Sequence, residues 1–191
     1  CGGSSGPKPA EVPDLADPRE VKRLWSVDLG GAERFVFSPG VLGDAVYGAS
    51  RDGTVARFDA ATGKEAWRVE VGTKLSAGAG GGGASVVVAT EEGEVIALDA
   101  ADGKERWRAR VSSEVLASPA VGSGLVLVRS VDNRVFAFGE QDGRRRWLYQ
   151  RSPSSLIVRV PAGIVMRGDT AYIGFAGGRL AALALSNGAV R

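Results

Sequence analysis

The sequence contains no histidine and one cysteine among its 191 residues. The missing histidine excludes Ser-His-Asp catalysis, histidine-ligated metal sites and acid–base chemistry by imidazole. The lone cysteine, Cys1, excludes a disulfide within the chain. No stretch is apolar for long enough to span a membrane as a helix, and the acidic residues do not follow the spacing of a calcium-binding loop. What remains is a glycine-rich chain with a net charge of only +2.

A repeat of about 40 residues dominates the sequence. Residues 55–67 return as residues 95–107 and again as 135–147, and a fourth copy begins at Leu180. Each copy has a turn glycine at the same point, spaced 40, 40 and 45 residues apart: Gly63, Gly103, Gly143 and Gly188. A tryptophan follows in the first three copies and another precedes them: Trp25, Trp67, Trp107 and Trp147. A fixed period of this length is typical of repeat architectures.

Each repeat has the pattern of four short strands, in which apolar and polar residues alternate between tight-turn signals. No segment carries a sustained helical stripe, so the sequence predicts an all-β fold: a β-propeller with about four blades of four antiparallel strands. The second strand of each unit is apolar on both faces, which predicts that it lies nearest the central channel and packs between blades. One tryptophan per blade is predicted to fill the wedge between neighbouring sheets, with a partner for its indole N–H.

The two ends of the repeat series are incomplete. Residues 24–29, which include Trp25, form a predicted fourth strand with no first three strands before it, and the fourth copy reaches Arg191 without its tryptophan. We therefore expect residues 21–191 to be the front half of a larger, eight-bladed propeller, truncated before the last strand of the fourth blade. Half a ring exposes apolar sheet surface, so we expect the chain alone to pair with a second copy or to aggregate.

Residues 1–20 are predicted to be a flexible tether, because their Gly-, Ser- and Pro-rich composition cannot bury an apolar core. Cys1 resembles the lipid-modified first residue of mature bacterial lipoproteins; the alternative is a labelling cysteine followed by a Gly/Ser linker. Gly2 is not the aspartate that retains enteric lipoproteins in the inner membrane, so this resemblance implies the outer membrane. Attachment would depend on acylation of Cys1.

Two further motifs are assigned no ligand. Residues 78–83 match G-x-G-x-x-G, but no helix follows to receive a pyrophosphate, so we predict a flexible loop between strands. Residues 144–146 are three consecutive arginines with no aromatic residues between them, which favours a solvated face over nucleic-acid binding.

Asp59 and Asp99 recur at turn positions, where a carboxylate accepts hydrogen bonds from backbone N–H groups.

The repeat is broken between the third and fourth copies, where the interval grows from 40 to 45 residues. Aligning Pro119 with Pro161 assigns two of the extra residues to the segment before Pro161 and three to the segment after it. Residues 151–163 are then either an edge strand that packs inward beside longer loops, or an exposed apolar and arginine patch of the kind found at protein interfaces.

In an extended conformation, Leu156 and Val158 point to one side of this segment, while Ile157 and Arg159 point to the other. The strand alternation alone does not decide between the inward-packed and the exposed alternatives.

The Asp-Ala-x-x-Gly-Lys-Glu-x-Trp repeat is similar to that of the pyrroloquinoline-quinone-type eight-bladed propellers. Within that group, residues 20–191 resemble the BamB family, the lipoproteins of the outer-membrane β-barrel assembly machinery. This resemblance implies a non-catalytic scaffold with no cofactor and no metal, held at the periplasmic face of the outer membrane by a lipid on Cys1. Nucleic acid is not an expected partner.

The same resemblance implies partners and a contact site. The family has a Leu-x-Leu-Arg segment that contacts the periplasmic POTRA domains of BamA. Carried over by position, the contact residues would be Leu156, Val158 and Arg159, with a valine where the family has its second leucine. Other implied partners are the remaining subunits of the assembly complex and unfolded outer-membrane proteins.

Two alternatives remain open. Quinoprotein dehydrogenases share the repeat and hold their quinone and calcium in the channel, but they bring a vicinal cysteine pair and long loops with catalytic acids, neither of which is present here. A generic periplasmic sensor propeller would share the fold and lack the contact at residues 156–159.

Overall fold

The computed structural model of this protein describes residues 17, 20–151 and 161–191. In these ranges the chain forms four antiparallel sheets, each built from strands that are consecutive in the sequence. The predicted all-β propeller fold is confirmed, and we number the sheets as blades 1–4 in chain order. Across the described part of the chain, no helix is long and apolar enough to cross a membrane.

The strand bounds follow the repeat. Blade 1 contains β1 (Gly40–Leu42), β2 (Ala45–Ala49), β3 (Thr54–Asp59) and β4 (Glu65–Glu70). Blade 2 contains β5 (Leu75–Gly82), β6 (Ser85–Thr90), β7 (Glu94–Asp99) and β8 (Glu105–Arg110). Blade 3 contains β9 (Ala120–Gly122), β10 (Leu125–Arg129), β11 (Arg134–Gly139) and β12 (Arg145–Gln150). Blade 4 contains β13 (Ile164–Arg167), β14 (Thr170–Phe175) and β15 (Arg179–Ala184).

The first strand of each blade, and not the second, lies nearest the centre of the ring. β5 contacts β1 on one side and β9 on the other, and β9 in turn contacts β13. The prediction that the second strand is innermost is therefore wrong. The second strands are apolar on both faces because they are sandwiched between neighbouring blades; all six residues of β6 are buried.

The glycine-rich residues 78–82 belong to β5, so the prediction of a flexible loop is wrong as well. A Cβ atom added at Gly78 would lie 2.2 Å from the carbonyl oxygen of Ser38, and one at Gly80 would lie 1.8 Å from the carbonyl oxygen of Pro119. The inner strands converge so closely that backbone meets backbone, which glycine permits and a side chain does not. Strand β6, and no helix, follows this segment.

Each tryptophan joins its own blade to the next one. The indole Nε1–H of Trp67 donates to the carbonyl oxygen of Ala100 at 3.2 Å, and its ring lies against the turn residue Gly103, whose φ is 76°. A Cβ on Gly103 would come within 2.8 Å of the ring. The same pair of contacts recurs at the next two junctions, Trp107 with Glu140 and Gly143, and Trp147 with Leu185 and Gly188.

Trp25 makes the equivalent contact with blade 1, where it donates to the carbonyl oxygen of Ala60 at 2.9 Å and lies against Gly63. Residues 24–29 are nevertheless not a strand, contrary to the prediction. A strand needs a neighbour for its backbone groups, and in the described residues no strand runs beside this segment. We call residues 20–29 the N-terminal arm; its Leu29 packs against Gly48 of β2.

The core consists of three apolar clusters, and each cluster lies between two consecutive blades. Between blades 1 and 2, for example, Tyr47 and Val55 of blade 1 pack with Val86, Val88 and Leu98 of blade 2. Stability therefore comes largely from neighbour-to-neighbour contacts that repeat along the chain.

Candidate interface at the channel mouth

All five extra residues of the third interval lie ahead of β13. In each blade, one residue of the first strand pairs with the residue of the second strand that lies seven positions later. These four residues are therefore equivalent: Gly40, Gly80, Ala120 and Val165. Each of them is followed by the turn glycine of its blade at the same separation, 23 residues. The alignment of Pro119 with Pro161 is therefore wrong, because Ile164 occupies the position of Pro119. The insertion is concentrated in the connection between blades 3 and 4.

The predicted contact residues Leu156, Val158 and Arg159 lie outside the described residues, and so does Cys1. Arg151 and Pro161 are the described residues on either side of the contact segment, and both are at the end of the blades where the first strands begin. This end is where the geometry of a candidate site can be followed.

An apolar cavity opens at this end of the ring. Val36, Leu116 and Pro161 occupy equivalent positions, four residues ahead of the register residues Gly40, Ala120 and Val165. Together with Arg34 and Phe35 they line a volume of about 340 Å³. We call this lining the channel mouth.

Blade 2 has Ser76 in place of an apolar residue at the equivalent position. Ser76 is buried, and its hydroxyl donates to the carbonyl oxygen of Val115 at 2.5 Å. A second cavity of about 370 Å³ shares Val36, Leu116 and Pro161 with the first one and continues inward along the first strands.

Two arginines and two glutamates surround Phe35 at the channel mouth. The guanidinium carbon of Arg51 lies 4.4 Å from the ring centroid of Phe35, and that of Arg34 lies 4.9 Å away. Arg51 donates to Glu91 at 2.5 Å and to Glu33 at 3.2 Å, and Arg34 also donates to Glu91. Burial alone would raise the pKa of Glu91, but hydrogen bonds from Arg51 and Arg34 outweigh it and hold that pKa below its ordinary value. Because Arg51 belongs to blade 1 and Glu91 to blade 2, these hydrogen bonds connect the two blades.

The junction of blades 3 and 4 departs from the repeat at two buried positions. Arg129 stands where blades 1 and 2 have alanine, and Phe175 stands where blades 1–3 have serine or threonine. The guanidinium carbons of Arg129 and Arg151 lie 5.3 and 5.8 Å from the ring centroid of Phe175. Burial lowers the pKa of Arg129. These cation–π contacts flank the connection that carries the insertion.

The other residues singled out in the sequence have local roles. Arg144, Arg145 and Arg146 are exposed, and Arg146 pairs with Asp142 at 2.9 Å. Asp59 accepts the backbone N–H of Thr62, and Asp99 accepts that of Ala101, both at 2.8 Å. Within the described ranges, no group of three or more histidine, cysteine, aspartate or glutamate side chains could hold a metal ion.

The channel mouth combines an apolar rim with a buried aromatic residue and arginines, and aromatic residues and arginine are enriched at protein interfaces. Sequence reasoning found the insertion but missed the rim, because Pro161 becomes equivalent to Val36 and Leu116 only once the strand register is known. The exchange of alanine for Arg129 was visible in the repeat and could have marked the junction.

Comparison with known proteins finds relatives of this chain. The family model described as "Outer membrane protein assembly factor BamB" matches residues 51–191. The outer membrane protein assembly factor BamB of Bordetella pertussis is 41% identical to this chain over 81 residues, which are 42% of this chain and 21% of the relative.

Among solved structures, the crystal structure of BamB from Moraxella catarrhalis has a TM-score of 0.72 and 29% identity, and the match covers 81% of this chain and 46% of that one. The chain therefore spans less than half of these relatives. A europium-containing methanol dehydrogenase matches with a TM-score of 0.62 over 80% of this chain and 40% of its own, at 19% identity, which is a likeness of fold alone.

Proposed function

Because this chain belongs to the family of the outer membrane protein assembly factor BamB, we propose that it is a non-catalytic scaffold of outer-membrane protein assembly. Its surface at the channel mouth, extended by Leu156, Val158 and Arg159, binds the POTRA domains of BamA. In this role it holds the complex together while β-barrel proteins are assembled and inserted into the outer membrane.

The observation that carries the proposal is the position of the insertion. The family model matches residues 51–191, and within them the place where the chain departs from its own 40-residue period is the connection between blades 3 and 4. That connection starts at Arg151, beside Phe175, and returns at Pro161, on the rim of the apolar cavity. Loops that a rigid scaffold positions in this way are frequent binding sites.

The test is binding of the purified chain to isolated POTRA domains of BamA by calorimetry. We expect Arg159→Glu to weaken binding at least about 30-fold, since removing one partner of an interfacial charge pair costs about 2–5 kcal/mol. Val36→Glu, on the channel rim, is expected to weaken binding as well. The matched control is Arg145→Glu on β12, an exposed arginine at the outer edge of blade 3, which should bind like the wild type.

The possible outcomes separate the family role from the site. Binding that is unaffected by Arg159→Glu and Val36→Glu would contradict the proposed surface while keeping the partner. No binding by folded protein would contradict the partner itself.

The proposed location is the periplasmic face of the outer membrane, with the chain attached through a lipid on Cys1. Its test is fractionation of cells that express the chain behind a lipoprotein leader: the wild type should sediment with outer membranes, and Cys1→Ser should be released into the periplasm. Equal membrane association of both forms would contradict the lipid anchor. The methanol dehydrogenase shares only the fold with this chain, so it supports no catalytic role.

A further inference from the structure

A carboxylate closes the cleft between blades 2 and 3, at the end of the blades opposite the channel mouth. Glu140 of blade 3 accepts the backbone N–H of Ala84, in the β5–β6 turn of blade 2, at 2.9 Å. A Cβ atom added at the neighbouring Gly83 would collide with this carboxylate, so the side chain lies directly over the turn. One blade thus supplies the acceptor for a turn N–H of the preceding blade.

The equivalent place between blades 1 and 2 is empty. Ala100 corresponds to Glu140, because the carbonyl oxygen of each one accepts the indole N–H of the preceding blade. Gly43 and Asp44 form the corresponding turn of blade 1, with a φ of 59° at the glycine against 56° in blade 2. A Cβ atom at Gly43 would meet no described atom within 4 Å, and in the described chain nothing accepts the N–H of Asp44.

A cavity of about 280 Å³ lies at this place, and an arginine lines it. Arg57 of β3 pairs with Tyr47 of β2, whereas the residues at these two positions are apolar in blades 2 and 3. Those residues are Val87 with Ala97, and Leu127 with Ala137. In blade 4 the position of Arg57 is taken by Ala182. Among the four blades, the cation is therefore found only at this junction.

The hydrogen bonds of Arg57 within the described chain leave most of its donors available. Its Nη1 donates to the carbonyl oxygen of Ala100 at 3.4 Å, and the same oxygen accepts the hydroxyl of Tyr47 and the indole N–H of Trp67, each at 3.2 Å. A carbonyl oxygen has two lone pairs, so three donors compete for it. The equivalent indole bonds of the other tryptophans measure 2.7–2.9 Å. A guanidinium carries five N–H donors, so Arg57 can bind a further acceptor in the cavity.

The group that fits this cavity is a carboxylate. The guanidinium of Arg57 already contacts Ala100, the residue that corresponds to Glu140, so it lies within reach of an acid at that place. The N–H of Asp44 corresponds to the one that Glu140 binds. Charge-assisted hydrogen bonds from a guanidinium to a carboxylate are about twice as strong as those between neutral groups.

The remaining lining favours a ligand with one charge and a short stem. Asp99 lines the same cavity, and its carboxylate accepts the N–H of Ala101 at 2.8 Å. This negative charge partly balances the cation, which disfavours a multiply charged anion such as phosphate. Leu42 and Tyr47 offer apolar surface to methylene groups. A glutamate side chain meets both requirements.

We propose that the cavity between blades 1 and 2 binds a glutamate side chain of a partner polypeptide, in the position that Glu140 takes between blades 2 and 3. Both blades that form this site are complete four-stranded sheets in the described chain. The site lies at the end of the ring opposite the channel mouth, so it does not rest on the proposed function.

The first test places the missing side chain within the protein itself. Ala100→Glu supplies the carboxylate, and Ala100→Gln supplies a neutral side chain of the same size. We expect the urea midpoint of Ala100→Glu to exceed that of Ala100→Gln by about 0.5 M, and this difference to be largely lost in an Arg57→Met background. Equal midpoints of the two variants beside an intact Arg57, or a lower midpoint for the glutamate, would overturn the carboxylate site.

The second test uses the unmodified chain and a small probe. Isotope-labelled protein is titrated with N-acetylglutamate whose α-carboxyl group is amidated, and the backbone N–H signal of Asp44 is followed by NMR. We expect a saturable shift of this signal and affinity about 10-fold weaker in Arg57→Met, whereas the turn N–H of Gly124 in blade 3 should not shift.

The matched neutral probe is the corresponding glutamine derivative, which should leave the Asp44 signal in place. An equal response to both probes, or no response to the glutamate derivative, would overturn the site. Acetate that bound as tightly as the glutamate derivative would overturn the assignment to a glutamate side chain, because it has no stem to contact Leu42 and Tyr47.

Discussion

Gly80 offers a direct test of how closely the inner strands approach each other. In Gly80→Ala, the added Cβ would lie 1.8 Å from the carbonyl oxygen of Pro119 and 2.8 Å from its carbonyl carbon. Both atoms belong to the backbone, so no side chain can rotate away. Contacts of a Cβ atom shorter than about 3 Å are essentially never seen. Because the distance here would be 1.8 Å, strands β5 and β9 would have to separate by more than 1 Å.

The expected cost is that of overpacking, about 1–3 kcal/mol. With a urea dependence of about 2 kcal/mol per molar, the unfolding midpoint should fall by roughly 0.5–1.5 M. The assay is equilibrium unfolding in urea followed by tryptophan fluorescence, because the indole rings are packed at the blade junctions and report their separation.

The adjacent Gly81 is the matched control. A Cβ at Gly81 would meet its nearest atom, the Cβ of Leu42, at 3.7 Å, an ordinary contact. Gly81→Ala should therefore leave stability unchanged or raise it by about 0.4–1 kcal/mol, because alanine restricts the unfolded chain. An unfolding midpoint for Gly80→Ala that equals or exceeds that of the wild type would refute the close approach of β5 and β9.

Three other predictions concern the junctions and turns. Trp107→Phe keeps an aromatic ring but leaves the carbonyl oxygen of Glu140 without its donor at 2.8 Å, and should cost about 1–3 kcal/mol in urea unfolding; a change below about 0.5 kcal/mol would contradict the role of this bond. Folding lowers the pKa of Glu91, so its carboxylate stabilises the protein above the pKa of the unfolded state, and this contribution is lost as the pH falls through the lower, folded pKa. The unfolding midpoint should therefore fall less steeply from neutral to acid pH for Glu91→Gln than for the wild type. An equal fall in both proteins would argue against the ion pairs of Glu91 with Arg51 and Arg34. Asn133 has a φ of 65°, so Asn133→Ala should cost about 1 kcal/mol, whereas Asn133→Gly should not destabilise the turn, and equal losses would show that φ is not the cause.

The repeat was sufficient to predict the blades because strand, turn and tryptophan signals agree at the same period. It failed where the physical cause acts between blades. The glycines of β5 were assigned to a loop because a single sequence does not show that Gly78 and Gly80 each face the backbone of a neighbouring strand. Residues 24–29 have the sequence of a strand, but a strand forms only where a partner accepts its hydrogen bonds.

The candidate site was predictable only in part. The 45-residue interval located the unusual connection, and the resemblance supplied Leu156, Val158 and Arg159 within it. Its alignment through Pro119 and Pro161 was wrong because similar residues do not set strand register; the hydrogen-bonded pairs do. The rim was missed because Pro161, which follows the insertion, aligns with Val36 and Leu116 only in the hydrogen-bonded register.

The tryptophan contacts have a direction that matters while the protein is being made. Every indole precedes its acceptor in the chain, by 35, 33, 33 and 38 residues along the series. At a synthesis rate of about 5–20 residues per second, each ring waits roughly 2–8 s for the carbonyl that will bind it. For most of synthesis the growing chain therefore ends in a blade whose tryptophan has no acceptor yet. Blades 1–3 each supply the acceptor for the preceding ring and then leave their own ring waiting.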